Sequence, residues 1–167
     1  MIIGNWKFQS GYTLIEILVG LTIIGLLFGF GYVSFRDFSR RQALTGTAKT
    51  IQGDLRLAQE FALAGQKPDD SLCDSPNTLD TYGFNVYSAS QYKIEAYCTG
   101  GVLGIVYKEV NLSPDISLST PSINPIKFKV LGTGTNIPAG QVITITLTQS
   151  GTNTQASVVV GSGGEIK

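Results

Sequence analysis

The chain has no histidine and only two cysteines, Cys73 and Cys98, among its 167 residues. The missing histidine removes the commonest general base and the commonest metal ligand together. Two cysteines are too few to close a four-ligand zinc site, and no histidine can complete one. Charge is also scarce. Asp, Glu, Lys and Arg make up 14% of the chain, against about a quarter in an average soluble domain. The formal net charge is zero, so composition gives no electrostatic case for binding nucleic acid. The acids show no spacing that suggests acid–base work. Asp69, Asp70, Asp74 and Asp80 cluster in a Pro- and Asn-containing stretch, but they lack EF-hand spacing and a closing Glu. They read as a solvated loop. Gly132-Thr133-Gly134-Thr135 is followed by neither Lys-Ser/Thr nor a helical pattern, so it reads as a turn and not a phosphate loop. No enzyme activity, cofactor or metal is expected.

What the chain does contain is one long apolar run near its start. Between Lys7 and Arg36 the only charged residue is Glu16. A carboxylate at the centre of a bilayer costs roughly 2.5–3.5 kcal/mol on insertion scales, and less near an interface. A residue in such a place needs a partner. From Leu14 to Val33 the run covers about 20 residues, the length of one membrane-spanning helix. It is too long for a secretory apolar core, and no small-x-small cleavage signal follows it. The positive-inside rule conflicts with the rest of the chain. Arg36, Arg40 and Arg41 follow the run and only Lys7 precedes it, which would place the C-terminal side in the cytoplasm. The remainder is poor in charge and rich in Thr and Val, and reads as β-rich and secreted or surface-exposed.

Ser10-Gly11-Tyr12-Thr13-Leu14-Ile15-Glu16, leading into that run, resembles the type IV pilin signature: Gly, an aromatic residue, then Thr-Leu-Ile-Glu. The family comprises major and minor pilins and the pseudopilins of type II secretion. The resemblance implies a leader, residues 1–11, cleaved after Gly11 by a prepilin peptidase that also methylates the new amine of Tyr12. Tyr stands here where Phe is usual. The resemblance also implies an assembly role for Glu16, and it outweighs the charge rule on topology. The chemistry agrees with it. Cleavage would leave an ammonium on Tyr12 four residues from Glu16, about one helical turn. Opposite charges that close, within or between subunits, offset part of the burial cost. The bland alternative is a Glu16 side chain that snorkels to the headgroups. Gly25, Gly29 and Gly31 lie in the distal half of the run. They read either as close-packing positions or as a flexible point where the helix yields on assembly.

Past the run, Leu44, Ala48, Ile51, Leu55, Ala58 and Ala62 recur at spacings of three and four, one stripe of a helix that ends at Gly65. A single helix over residues 12–65 is expected, spanning the membrane at about 14–33 and amphipathic beyond. Residues 66–167 should form a β-rich globular head. Strands are expected over residues 82–87, 91–98, 102–110, 116–119, 126–131, 141–149 and 154–160. The parity of the second strand puts Tyr92, Ile94, Ala96 and Cys98 on its core face. With an export signal, Cys73 and Cys98 read as one disulfide; a pair of unbridged thiols is the alternative.

The fold class is therefore α+β, a long N-terminal helix packed on an antiparallel sheet. Asp54–Ala64, Tyr82-Gly83-Phe84, Ile126-Lys127-Phe128 and Gly163-Gly164-Glu165-Ile166 look similar to the H-type minor pseudopilins and related minor pilins. Some of that branch bind DNA through a basic tail, but the tail here has a single Lys167. The implied function is that of a structural subunit of a type IV pilus or secretion pseudopilus. Its partners would be other pilin or pseudopilin subunits, the prepilin peptidase, an inner-membrane assembly platform and membrane lipid. It would lie in the cytoplasmic membrane before assembly and in a surface or periplasmic filament after it. The alternatives are an adhesin or DNA-uptake subunit and an uncleaved single-span anchored protein.

Overall fold

The computed structural model describes residues 11–101 and 104–167, with the backbone alone for residues 30–34. The order is α1 (Leu14–Ala64), β1 (Leu79–Ser88), β2 (Gln91–Cys98), β3 (Ile105–Asn111), β4 (Ile116–Leu118), β5 (Ile126–Lys129), β6 (Val142–Gln149) and β7 (Gln155–Gly161). Two compact units divide between Ser39 and Arg40. In the first, the large apolar side chains from Leu14 to Phe28 are exposed. The expected span over residues 14–33 runs into residues 30–34, whose side chains lie outside the described ones. Among the described residues no helix is long and apolar enough to cross a membrane.

In the second unit, α1 presents one apolar stripe. Leu44, Ala48, Ile51, Leu55, Ala58 and Ala62 are all buried, as their spacing requires. They share one core with both sheets. Fully burying a side chain such as Ile51 or Leu55 stabilises the fold by about 1.5–3 kcal/mol. The helix stops where Gly65 takes φ +60. Its N–H donates to the Ala62 carbonyl at 3.2 Å, and the Gln66 N–H donates to the Phe61 carbonyl at 3.0 Å. This is a Schellman arrangement, and glycine adopts its left-handed residue without steric cost. The Tyr82 hydroxyl then ties the exit down, donating to the Gln66 carbonyl at 2.7 Å.

As the α+β expectation has it, the helix packs on antiparallel β-structure, here divided between two sheets. One has the order β3-β2-β1-β5, the other β4-β6-β7. Alternation is clean where the reading relied on it. Tyr92, Ile94, Ala96 and Cys98 are buried on β2, and Ile143, Ile145 and Leu147 on β6. Most strand ends fall within one residue of expectation, but β1 begins at Leu79, three residues early, and two others also differ by more than one residue. β5 stops at Lys129 because Val130–Gly132 turns as a short 3-10 segment with Leu131 at φ 56. β3 begins at Ile105, and the expected start at residues 102 and 103 lies outside the described residues. Three of the four sheet edges are covered from within the chain. Gly134–Asn136 bonds β5, the Leu118 N–H of β4 reaches the Ala89 carbonyl, and Glu165–Lys167 bonds β7.

Two buried carboxylates were not legible in the periodicity. Asp54 lies on α1, 5% exposed. Its Oδ2 accepts from the Tyr92 hydroxyl at 2.7 Å and its Oδ1 from Lys108 Nζ at 2.6 Å. Glu95 is buried on the opposite face of the larger sheet, where its Oε2 accepts from the Tyr97 hydroxyl at 2.6 Å and from Asn85 Nδ2 at 2.9 Å. Both phenols are pushed well above the usual tyrosine range, chiefly by burial and then by the carboxylate each one faces. Burial raises Tyr82 as well.

Asp54→Ala strands the Tyr92 hydroxyl in the core, so chemical unfolding of the full chain in detergent should show a loss of about 2 kcal/mol. Asp54→Asn keeps an acceptor and should lose about half as much. The raised phenols also set a pH dependence. The folded chain holds these protons at pH values where the unfolded chain, with a tyrosine pKa of about 10, releases them. That contribution is complete below pH ~10 and is lost as pH rises further. Unfolding free energy should therefore fall as pH rises above about 10, and fall less steeply in Tyr92→Phe.

Candidate functional site

The N-terminal motif occupies the entry to α1. Gly11, Tyr12 and Thr13 precede the helix and are exposed. Residues 1–10 of the expected leader lie outside the described residues. Thr13 caps the helix. Its hydroxyl oxygen accepts from the Glu16 N–H at 3.3 Å, and its carbonyl accepts from the N–H groups of Glu16 at 3.0 Å and Ile17 at 3.2 Å. Thr-x-x-Glu is the sequence of a capping box, a signal the run-based reading passed over. The cap starts the helix at Leu14, two residues beyond the expected Tyr12, and puts Glu16 in its first turn. There the positive end of the helix macrodipole favours a carboxylate by about 0.3–1 kcal/mol.

Glu16 is exposed among exposed apolar neighbours. Leu14 is 82% exposed and Ile15 70%. This is one carboxylate on an apolar surface that the described residues leave uncovered. Gly25 and Gly29 continue along the helix with no atom within 4 Å of where a Cβ would stand. The space around them is open, so nothing in their own unit requires glycine. Gly31 also lies in α1, and its surroundings fall outside the described residues. The helix is continuous through all three positions.

In the head, Cys73 and Cys98 form a disulfide with Cα atoms 5.4 Å apart. It anchors the Ser71–Cys73 turn, which opens with Asp70 Oδ1 accepting from the Leu72 N–H at 2.8 Å, to the end of β2. Asp70 and Asp74 of this loop bond locally. Asp74 meets Lys67 at 3.5 Å across an exposed pair. Among the described residues no group of three or more Cys, Asp or Glu is placed to hold a metal. The C-terminal tail is not a free arm. The Lys167 N–H donates to the Val159 carbonyl at 3.0 Å, the Lys167 carbonyl accepts from the Val159 N–H at 2.9 Å, and Gln59 Nε2 donates to the Gly164 carbonyl at 3.1 Å.

The model of the prokaryotic N-terminal methylation motif matches residues 6–32. No curated protein and no solved structure matches the chain. That motif opens the helix that leads into the antiparallel sheets. Over those residues the chain is similar to the prepilin-type N-terminus of type IV pilin-like proteins.

The disulfide closes a separation of 25 residues, for which loop-closure entropy gives about 3 kcal/mol. Reduction, or Cys73→Ser with Cys98→Ser, should lower the unfolding free energy by about that amount with the head still folded. Urea titration with and without reductant measures it.

Proposed function

We propose that the chain is a structural subunit that polymerises into a type IV pilus or a type II secretion pseudopilus after its leader is removed. A prepilin peptidase cuts after Gly11 and methylates the new amine of Tyr12. The apolar half of the helix, about residues 14–33, holds the subunit in the cytoplasmic membrane until an inner-membrane assembly platform passes it into the filament, beyond the membrane. The head, residues 66–167, packs on the amphipathic half of the helix. The resemblance to H-type minor pseudopilins and minor pilins is the finer reading within this class. Gly25, Gly29 and Gly31 are where the helix would yield if assembly stretches it.

One observation carries this reading. Glu16 is an exposed carboxylate in the first turn of a helix whose neighbouring apolar side chains are also exposed. Burying that surface against lipid or another subunit takes the carboxylate with it. A buried charge is tolerated only when it is paired and hydrogen-bonded. The cationic group that processing creates is the ammonium of Tyr12. On its own chain it sits close to the positive end of the macrodipole, which disfavours a cation. A Tyr12 ammonium meeting the Glu16 of a neighbour satisfies both charges and sets the stagger between adjacent helices.

N-terminal sequencing of the mature protein tests the processing step. A start at methylated Tyr12 is expected, and an intact Met1 would instead identify an uncleaved anchor. Glu16→Ala should insert into membranes as the parent does yet drop filament incorporation by at least about tenfold, the equivalent of losing about 1.4 kcal/mol of pairing. Unchanged filament yield from that variant would rule out the assigned role.

A further inference from the structure

We infer that Asn111 is an acceptor for an N-linked glycan. Asn111-Leu112-Ser113 is an Asn-x-Ser acceptor pattern with a permitted middle residue, and no other Asn in the chain has Ser or Thr two positions on. The fold presents it suitably. Asn111 is the last residue of β3 and is exposed. Leu112 is half-buried and donates its N–H to the Ser90 carbonyl at 2.8 Å, and the Ser113 carbonyl accepts from the Ile116 N–H at 2.9 Å across the turn that follows. The acceptor pair thus flanks the point where a strand becomes a turn, with Leu112 as its anchor.

The side-chain geometry points the same way. Gln91 Nε2 donates to Asn111 Oδ1 at 2.9 Å and to Glu109 Oε1 at 2.7 Å. The amide is therefore held by its oxygen, and among the described residues its Nδ2 has no acceptor. Asn111 and Ser113 line one side of an open cleft of about 350 Å³, with Thr47 and Thr50 of α1 opposite. A transferase has room to reach the amide. In the transfer, Nδ2 bonds to the anomeric carbon of a saccharide carried on a lipid diphosphate. The bond from that carbon to the diphosphate oxygen breaks, the lipid diphosphate departs with the electron pair, and Nδ2 gives one proton to a base of the transferase.

The position also gives the glycan a use. The outer edge of β3 is the one sheet edge without a backbone partner among the described residues. Its charges are turned to other tasks, since Lys108 pairs with Asp54 and Glu109 with Lys93 at 3.1 Å. Val106 and Tyr107 stay exposed beside them. An uncovered edge of this kind invites strand pairing with another chain. A bulky hydrophilic group at its end opposes that pairing.

The inference rests on the reading that the head leaves the cytoplasm. Mass spectrometry of the full mature chain from its producing cells, with mapping of the peptide that contains Asn111, tests it. A saccharide increment is expected on that peptide, with occupancy falling at least about tenfold in Asn111→Gln and in Ser113→Ala and persisting in Ser113→Thr. An unmodified Asn111 in a chain that begins at Tyr12 would overturn the inference and leave the export reading standing. So would an increment that survives Asn111→Gln, which would mark a sugar on a hydroxyl. A chain that begins at Met1 would count against the export reading alone.

Discussion

A single carboxylate on an apolar helix is the constraint on which the rest of this molecule turns. Glu16 stands in the first turn of α1, exposed among exposed apolar side chains. An apolar surface of this kind is not stable in water, and covering it removes the carboxylate from water too. The cost of an unpaired buried charge exceeds any packing gain nearby, because desolvation of an ion costs several kcal/mol even after relaxation. A cation brought to Glu16 by whatever covers the helix would offset that cost. Cleavage at Gly11, as proposed, would make one at Tyr12, a few residues away, and would tie maturation to assembly through one ion pair.

The head solves a different problem. Its stretch of helix offers only one apolar stripe, and two small sheets close over it. The stripe is made of small and medium side chains, with Ala48, Ala58 and Ala62 among Leu44, Ile51 and Leu55. Small residues let the sheets approach the helix closely. Polar groups that fall inside are matched by partners distant in sequence: Asp54 by Tyr92 and Lys108, and Glu95 by Tyr97 and Asn85. The disulfide fastens the first long loop to β2, and the C-terminal strap closes the outer edge of β7.

The elements that could be read in the sequence were those governed by local periodicity. All six stripe positions of α1 and the core faces of β2 and β6 follow from spacings of three to four or of two. Partition into two sheets was not legible, because strand pairing joins segments far apart, as when Phe84 meets Ile126. The burial of Asp54 had no local signal either, since its partners lie 38 and 54 residues away. Leu131 belonged by parity to a strand but sits in a left-handed turn before Gly132. At the N-terminus the motif itself was legible, and its match spans residues 6–32, but the local geometry was less so. Thr13 reads as a cap only when Thr-x-x-Glu is taken as a local hydrogen-bond pattern, separate from the apolar run it opens.

The most direct measurement of the central claim is the distance, in a high-resolution map of the assembled filament, from the Glu16 carboxylate to the Tyr12 nitrogen of the adjacent subunit. The account predicts an ion pair, with nitrogen and oxygen within about 4 Å. A Glu16 carboxylate that faces water or lipid headgroups, with no ammonium within reach, would contradict it.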